Sequence, residues 1–256
     1  MRLASKVAIV TGAGSGFGEG IAKRYAREGA QVIVNDINEA SAQRVADEIR
    51  ASGGQAQSVP ADVSKDADVA ALVRRSMQTF GRLDIVVNNA GVSGVTPIEA
   101  RDTAQWLDII QTNIVGTYYV TNAATPHMRN GGRVIMMSSV LGKFGVPGYT
   151  AYCTAKTGLI GFTRALALEL APRKITVNAL CPGWTDTEMA RAGMRDIAAA
   201  AGISVEEFKK QAMARVPLGE MVEPEEVANL VAFLCAPTGD KITGQAISIC
   251  GGSTHA

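Results

Sequence analysis

The chain alternates short apolar runs with longer segments in which apolar residues recur every three or four positions. The apolar runs lie at residues 6–11, 31–36, 55–60, 83–88, 132–137, 174–181 and 245–250. Most are rich in β-branched residues and too short for a helix, so they predict buried strands. The periodic segments predict helices that end at 28 and that span 39–51, 66–80, 103–125, 151–170 and 224–235.

This regular order of strands and helices predicts one α/β domain over residues 1–256. We expect a doubly wound (Rossmann) parallel sheet of seven strands, with helices on both faces. In such sheets ligands bind beyond the carboxyl ends of the strands, so residues that follow strands become the candidates for a site. One long insertion, about 188–216, interrupts the alternation.

A glycine-rich loop joins the first strand to the first helix, with the sequence T-G-A-G-S-G-F-G at residues 11–18. Glycines let backbone N–H groups approach a pyrophosphate, and the helix N-terminus adds partial positive charge. A tight turn explains one or two glycines, but not Gly12, Gly14, Gly16 and Gly18 together. The loop therefore predicts a dinucleotide site.

The second strand ends in Asp36, about twenty residues past the loop, where a carboxylate can accept hydrogen bonds from an adenosine ribose. A 2′-phosphate would meet a negative charge there, and no basic residue follows in I-N-E to neutralise it. We therefore expect the cofactor NAD. The other interpretation of Asp36 is a helix N-cap, a position that Asn38 also fits.

A candidate acid/base pair lies in the predicted helix 151–170. Tyr152 and Lys156 are four residues apart and share one helix face, where a cation favours the phenolate. Ser139 follows the strand 132–137 and offers a hydroxyl to a polarised oxygen. The same tyrosine–lysine spacing also occurs by chance in many helices, so the rest of the chain decides.

Motifs in the right order resemble the short-chain dehydrogenase/reductase family in its compact form. They include the glycine loop, N-N-A-G at 88–91, and Ser139 followed thirteen residues later by Tyr152-x-x-x-Lys156. The spacing T-G-x-x-x-G-x-G differs from the G-x-G-x-x-G of other dinucleotide-binding folds. It also differs from the T-G-x-x-G-x-x-G of the extended, epimerase-like branch of the family. The resemblance runs from the first strand to Gly251–Gly252. It implies an NAD(H)-dependent oxidoreductase that interconverts a secondary alcohol and a ketone.

The resemblance implies a catalytic set of Asn113, Ser139, Tyr152 and Lys156. Tyr152 exchanges the proton, Ser139 binds the substrate oxygen, and Lys156 lowers the tyrosine pKa and reaches the nicotinamide ribose. Asn113 holds a water against the lysine; the alternative is a poor helix former tolerated on a buried face. The residues implied to bind the cofactor are Gly12, Ser15, Phe17, Gly18, Asp36, Ile37, Asp62, Val63, Asn89, Ala90, Gly91, Tyr152, Lys156, Pro182, Gly183, Trp184, Thr185 and Thr187.

The predicted substrate pocket is mostly apolar, and the insertion 188–216 resembles the mobile substrate lid of the family. The residues expected to form the walls of the pocket are Val140, Leu141, Phe144, Val146, Pro147, Tyr149, Trp184 and the lid. The candidate substrate-binding residues are Ser139, Leu141, Phe144, Tyr149, Tyr152, Trp184 and Met189. Arg191 and Arg195 in the lid, with Lys143, either meet an anionic substrate group or are solvated surface charges.

Residues 203–252 also resemble aromatic-polyketide ketoreductases, so a 3-oxoacyl-thioester or polyketide ketone remains an alternative substrate. Those reductases usually take NADPH, which Asp36 disfavours. A regulator that senses a dinucleotide without turnover would not need the four catalytic residues. The chain has all four.

Composition and charge restrict the classes of molecule that the protein is expected to bind. A net charge of +1 provides no field that attracts nucleic acid or anionic membranes. The four cysteines show no paired spacing and suggest reduced thiols, and two histidines, His127 and His255, make a metal site improbable. The N-terminus lacks the features of a signal peptide, and no apolar run is of membrane length, so we expect a cytoplasmic protein.

Small residues are frequent in the predicted helix 151–170, including Gly158, Gly161, Ala165 and Ala167. Small side chains let a second helix approach closely. The resemblance implies that this helix forms a subunit interface, and hence a homotetramer or homodimer. A purely intramolecular helix contact is the alternative.

Overall fold

Seven parallel strands form a single sheet in the computed structural model, which describes residues 1–254. The strands are β1 (Val7–Val10), β2 (Gln31–Val34), β3 (Gln55–Ser58), β4 (Leu83–Asn88), β5 (Met128–Met137), β6 (Thr176–Pro182) and β7 (Ala246–Ile249). Their order across the sheet is β3-β2-β1-β4-β5-β6-β7, and every neighbouring pair is parallel. The predicted seven-stranded parallel sheet is confirmed. β5 begins at Met128, earlier than the predicted residue 132.

Nine α-helices among the described residues connect and cover these strands. They are α1 (Gly16–Arg27), α2 (Glu39–Ala51), α3 (Asp66–Phe80), α4 (Thr103–Ile110), α5 (Gly116–Ala124), α6 (Thr150–Leu170), α7 (Glu188–Ala201), α8 (Val205–Met213) and α9 (Pro224–Cys235). Short 3₁₀ turns lie at Ile98–Ala100, Thr125–His127, Val140–Gly142, Ala171–Arg173 and Pro237–Gly239.

Alternate strand residues point to opposite faces of the sheet, so the chain has two hydrophobic cores. One core joins Ala8 and Val10 of β1 to α1, α2 and α9. The other joins Ile9 to α3, α5 and α6. Because helices pack on both faces, β1, β4 and β6 are buried along their whole length, as predicted, whereas the edge strand β7 is half-buried.

The sheet topology brings two loops together at its centre. After β1 the chain winds outward through β2 to β3, and it then returns to place β4 on the other side of β1. The loops that follow β1 and β4 therefore lie side by side at the point where the winding direction reverses. This switch point is where doubly wound sheets bind ligands.

The predicted helix over 103–125 is present, but it is not α-helical throughout. α4 ends at Ile110, and a π-helical segment, Gln111–Val115, precedes α5. Within this segment Asn113 Nδ2 donates to the carbonyls of Ile109 (2.8 Å) and Val92 (2.9 Å). A side-chain amide that bonds the carbonyl four residues back competes with the regular helical hydrogen bonds, and π segments often mark functional sites.

Residues 188–216, which we call the lid, form α7 and α8. Thr187 caps α7 by accepting from Ala190 N (3.3 Å), and Ser204 caps α8 by accepting from Glu207 N (3.1 Å). Gly202, with a φ of 66°, ends α7 in the left-handed conformation. Regular capping at these ends shows why the insertion is helical and not an irregular loop.

Several predicted features concern isolated side chains. Cys181, Cys235 and Cys250 are buried, Cys153 is half-buried, and all four are free thiols. His127 is exposed, and His255 lies outside the described residues. Residues 1–254 contain no cluster of three His, Cys, Asp or Glu side chains that would hold a metal ion. In the same range, every helix is too short or too polar to cross a membrane.

Candidate active site

The glycine-rich loop after β1 packs closely against the loop after β4. A Cβ atom on Gly12, whose φ is 61°, would lie 2.8 Å from Ala90 Cα. A Cβ atom on Gly18 would lie 2.1 Å from the Gly12 carbonyl oxygen and 2.6 Å from Asn89 Nδ2. Both positions exclude any side chain, because real Cβ atoms do not approach backbone so closely.

Thr11 joins these two loops and was not among the predicted site residues. Its hydroxyl oxygen accepts from the backbone N–H groups of Asn89 and Ala90, each at 3.0 Å. Asn89 in turn donates through Nδ2 to the carbonyls of Thr11 (2.8 Å) and Gly12 (3.0 Å). The position of Thr11 directly before the glycine loop is the feature of the sequence that could have identified it.

The N-terminus of α1 provides a place for a pyrophosphate. Ser15 is the N-cap residue in an extended conformation, and its side chain makes no capping hydrogen bond. The N–H groups of the first helical turn therefore remain available as donors, next to the partial positive charge of the helix. The cradle of Gly12 and Gly18 and this uncapped N-terminus together fit a dinucleotide.

Asp36 follows β2 and faces the glycine loop. Its Oδ2 accepts from Gly14 N and its Oδ1 from Asn38 N, both at 2.9 Å. The N-cap of α2 is Asn38, which accepts from Ser41 N, so the capping interpretation of Asp36 is wrong. Ile37 is exposed next to it. The carboxylate is thus held at the strand end.

Asp62 and Val63 follow β3. Burial alone disfavours the Asp62 carboxylate, but hydrogen bonds from the Ser64 hydroxyl (2.7 Å) and backbone N–H (3.0 Å) outweigh it, and the net pKa is lowered. Val63 is buried, and its carbonyl oxygen would lie 3.0 Å from a Cβ atom on Gly116. The side chain of Val63 is thus part of the core, and Asp62 remains half-buried at the strand end.

The four predicted catalytic residues lie in the same part of the structure. Lys156 Nζ is 5.3 Å from the centroid of the Tyr152 ring and donates to the Met137 carbonyl (2.8 Å). Ser139 hydrogen-bonds to the Tyr152 side chain, and its Oγ accepts from Leu141 N (3.2 Å). Tyr152 and Lys156 both belong to α6 and lie about one helical turn apart, as predicted.

Asn113 lies next to Lys156, and the two side chains share a small polar space beside Gly91. Its Oδ1 is buried and has no hydrogen-bond partner. A Cβ atom on Gly91 would lie 2.4 Å from Asn113 Oδ1 and 3.5 Å from Lys156 Nζ, so both polar atoms border the same small volume. A buried acceptor without a partner is costly and fits a bound water or cofactor hydroxyl.

The pKa of Tyr152 does not shift in the expected direction. Burial raises it to about 12, although the hydrogen bond from Ser139 opposes this rise. Burial also lowers the pKa of Lys156 to about 8. Burial is the largest cause of both shifts, and it moves each group towards its neutral form.

A cavity of about 540 Å³ opens over Ser139 and Tyr152. All seven predicted substrate-binding residues line it, as do Phe17, Pro182, Gly183, Thr185 and Thr187 from the cofactor set. Val140 and Val146 also line it, but the expected wall residue Pro147 does not. Trp184 packs edge-on against Phe208 of α8, with ring centroids 6.0 Å apart, so the lid closes one side.

Of the two interpretations of Arg191 and Arg195, the structure agrees with exposed surface charges. Arg191 pairs with Asp186 and Glu188, and Arg195 pairs with Glu188 (2.7 Å); neither lines the cavity. Other lining residues were missed, namely Ser93, Ser138, Ala190, Gly193, Ile197, Phe208, Gln211, Ala212, Arg215, Val216 and Ser253. Most of them belong to the lid, whose helical faces could not be assigned before its two helices were defined.

Comparisons with known proteins show which proteins the chain resembles. A family model described as Enoyl-(Acyl carrier protein) reductase matches residues 12–254. The hydroxynaphthalene reductase-like protein Arp2 of Metarhizium majus is 39% identical over 255 residues, which cover 98% of this chain and 96% of that protein. A putative ketoacyl reductase of Streptomyces coelicolor is 39% identical over 97% of each chain.

A solved structure extends the similarity to three dimensions. The 3-ketoacyl-(acyl-carrier-protein) reductase of Brucella melitensis, complexed with NADH, has a TM-score of 0.88 and 36% identity, and covers 99% of this chain and 100% of its own. The fold and the matches define an oxidoreductase built on a doubly wound sheet. The chain belongs to the short-chain dehydrogenase/reductase family.

Proposed function

We propose that the protein is an NAD(H)-dependent oxidoreductase that interconverts a secondary alcohol and a ketone. The observation that carries this proposal is the hydrogen-bonded pair of Ser139 and Tyr152, which line an apolar cavity. Lys156 and Asn113 border the polar space behind this pair. A proton donor, an oxygen-binding hydroxyl and a route for the proton are what alcohol–ketone chemistry requires.

Each of the four residues has a distinct task. Tyr152 takes the proton of the alcohol in oxidation and returns it to the carbonyl oxygen in reduction. Ser139 donates a hydrogen bond to that oxygen and orients it. Lys156 and the unpartnered Asn113 Oδ1 hold a water that passes the proton outward. A bound nicotinamide dinucleotide supplies the hydride acceptor or donor.

NAD is the proposed cofactor because Asp36 presents a negative charge at the end of β2. A ribose hydroxyl can donate to this carboxylate, whereas a 2′-phosphate would be repelled by it. Gly12, Ser15, Phe17 and Gly18 would bind the pyrophosphate. Asp36, Ile37, Asp62 and Val63 would bind the adenosine, and Asn89–Gly91 and Pro182–Thr187 the remainder.

Reduction of a 3-oxoacyl-thioester or polyketide ketone is the second candidate reaction. It is favoured by the similarity to a putative ketoacyl reductase and to a 3-ketoacyl-(acyl-carrier-protein) reductase. The same residues serve this reaction, since the reduced group is again a ketone. The two candidates differ in the substrate body that the cavity accepts.

The decisive experiment compares wild type with Tyr152→Phe on a panel of secondary alcohols and ketones, followed by nicotinamide absorbance. We expect turnover by wild type and a loss of about 10²- to 10⁴-fold in the variant, with NADH binding retained. Tyr149→Phe removes a second phenol from the same cavity and is the matched control. Equal activity of Tyr152→Phe and wild type would refute the assignment of the proton donor.

We further propose a cytoplasmic homotetramer or homodimer assembled through α6. Gly161, Ala165 and Leu168 form an exposed stripe on this helix, and Leu168 is 79% exposed. Gly158 is exposed as well, but a Cβ atom there would lie 3.0 Å from Ile114 Cδ1 of the same chain. The intramolecular alternative therefore accounts for one face of α6 and leaves the other available to a second subunit.

A further inference from the structure

One charged side chain lines the active-site cavity among residues 1–254, and it is Arg215. It follows α8, whose C-cap is Ala214. The remaining lining residues are apolar or neutral, with Leu141, Phe144, Met189, Ile197 and Phe208 among the larger ones. A full positive charge on an otherwise uncharged wall calls for an explanation, because arginine remains protonated at all ordinary pH values.

The other two lid arginines have acidic partners, and Arg215 does not. Arg191 and Arg195 share Glu188, and Arg191 also contacts Asp186. Within the described part of the chain, the Arg215 guanidinium has no ion pair and no hydrogen bond. Gln211, one turn earlier on the same wall, already donates to Glu207 (2.9 Å). The cavity therefore contains five N–H donors of one side chain that are uncommitted.

The backbone next to Arg215 is anchored and does not belong to a loose loop. Val216 is buried, and a Cβ atom on Gly251 would lie 2.6 Å from Val216 Cγ1. Leu218 N donates to the Gly251 carbonyl (3.0 Å), which fixes the segment against the residues that follow β7. Packing therefore fixes the backbone position from which the exposed Arg215 side chain extends.

The cavity thus offers three kinds of contact from different elements. Ser139 follows β5 and Tyr152 belongs to α6. The apolar wall is formed by the loop between β5 and α6 and by α7 and α8. The cation lies at the end of the lid. We propose that Arg215 binds a carboxylate on the substrate, so that the preferred substrates are hydroxy or oxo acids with an apolar body. The identity of the reacting end rests on the proposed function.

A carboxylate is the group that the geometry of arginine suits best. The planar guanidinium can donate two parallel hydrogen bonds to both carboxylate oxygens, and such charge-assisted bonds are stronger than neutral ones. Arg215 itself is exposed, and the apolar wall beside it would contact the body of the substrate. The anion would select substrates by binding, and the chemical step would remain with Tyr152.

The test measures binding and needs no turnover, so failure of the proposed reaction leaves its result interpretable. Octanoate and 1-octanol, which share one apolar chain, are titrated calorimetrically into wild type, Arg215→Gln and Arg195→Gln. We expect wild type to prefer octanoate by about tenfold or more. Arg215→Gln should abolish this preference while binding of 1-octanol persists, and Arg195→Gln should retain it.

Further measurements separate a specific pair from general electrostatics. Arg215→Lys should retain part of the preference, since a point charge remains without the bidentate geometry. Equal affinities of wild type for the two probes, an unchanged preference in Arg215→Gln, or an equal loss in Arg195→Gln would each overturn the proposal. With an oxo acid as substrate, Arg215→Gln should raise KM about tenfold and leave kcat unchanged.

Discussion

Lys156 Nζ lies 5.3 Å from the centroid of the Tyr152 ring, and it donates its hydrogen bond to the Met137 carbonyl. Lys156 is buried and Tyr152 is half-buried at the wall of the cavity, and loss of water around them moves their pKa values towards the neutral forms, to about 8 for Lys156 and about 12 for Tyr152. The site therefore contains two groups whose charged forms are both disfavoured. Such shifts at a cavity are typical of proton-transfer sites.

The first prediction concerns stability as a function of pH. The pKa of Lys156 is about 8 in the folded chain, below its ordinary value of 10.5. Between these values the unfolded chain binds a proton that the folded chain has released, so this residue makes folding more favourable as pH rises. From pH 8 to pH 9.5, wild type should gain about 2 kcal/mol relative to Lys156→Met.

Urea unfolding of both proteins at the two pH values measures this difference. The comparison cancels other titrating groups, such as the Cys235 thiol, whose pKa burial raises to about 12. Loss of the hydrogen bond to the Met137 carbonyl shifts the variant by a constant amount. If the two stabilities change in parallel with pH, Lys156 is not buried as a near-neutral amine.

The second prediction uses the close approach of Gly91 to Asn113. Gly91→Ala would place a Cβ atom 2.4 Å from Asn113 Oδ1 and 3.5 Å from Lys156 Nζ. The methyl group must displace the amide, so we expect kcat to fall by about tenfold or more and stability by about 1–3 kcal/mol. Steady-state kinetics and urea unfolding measure the two effects.

Gly145→Ala is the matched control for this substitution. No atom lies within 4 Å of a Cβ atom at Gly145, and its φ lies outside the left-handed region. It should leave both kcat and stability close to those of wild type. Full activity in Gly91→Ala would mean that the space beside Asn113 has no part in the proton relay.

The sequence predicted those features that depend on local pattern. The seven strands, the glycine loop before α1 and the grouping of Ser139, Tyr152 and Lys156 follow from apolar runs, glycine spacing and positions at strand ends. The wall residues Leu141, Phe144 and Trp184 lie directly after strands, so the topology alone brings them to one edge of the sheet.

Features that depend on contacts between distant segments were not accessible to the same reasoning. Within the π segment, Asn113 bonds to the Val92 carbonyl, across a loop that no periodicity describes. The acidic partners of Arg191 and Arg195 neutralise them, whereas no acidic side chain among residues 1–254 pairs with Arg215. The raised pKa of Tyr152 reflects burial, a property that only the folded chain has.

The third prediction concerns the choice of dinucleotide. Asp36→Asn removes a negative charge and keeps one acceptor oxygen for the Gly14 or Asn38 N–H group. Two unit charges about 4 Å apart repel by about 1–4 kcal/mol near a protein surface, so discrimination against NADPH should fall at least about fivefold. Fluorescence quenching by NADH and NADPH gives both dissociation constants.

Asp36→Ala separates charge from loop support. It also removes the acceptor of the Gly14 N–H group, so we expect weaker binding of NADH as well as a loss of discrimination. Tighter binding of NADPH than of NADH by wild type would contradict the role assigned to Asp36.

The last prediction concerns assembly through α6. Leu168 is 79% exposed, and Gly161 and Ala165 lie on the same exposed stripe, where a second helix can approach closely. Leu168→Glu places a charge in this stripe and should convert the wild-type oligomer into smaller species, as measured by light scattering. Ile37→Glu, at an equally exposed apolar residue beside the dinucleotide cleft, should leave the mass unchanged. An unchanged mass in Leu168→Glu, or a monomeric wild type, would exclude this face as the subunit contact.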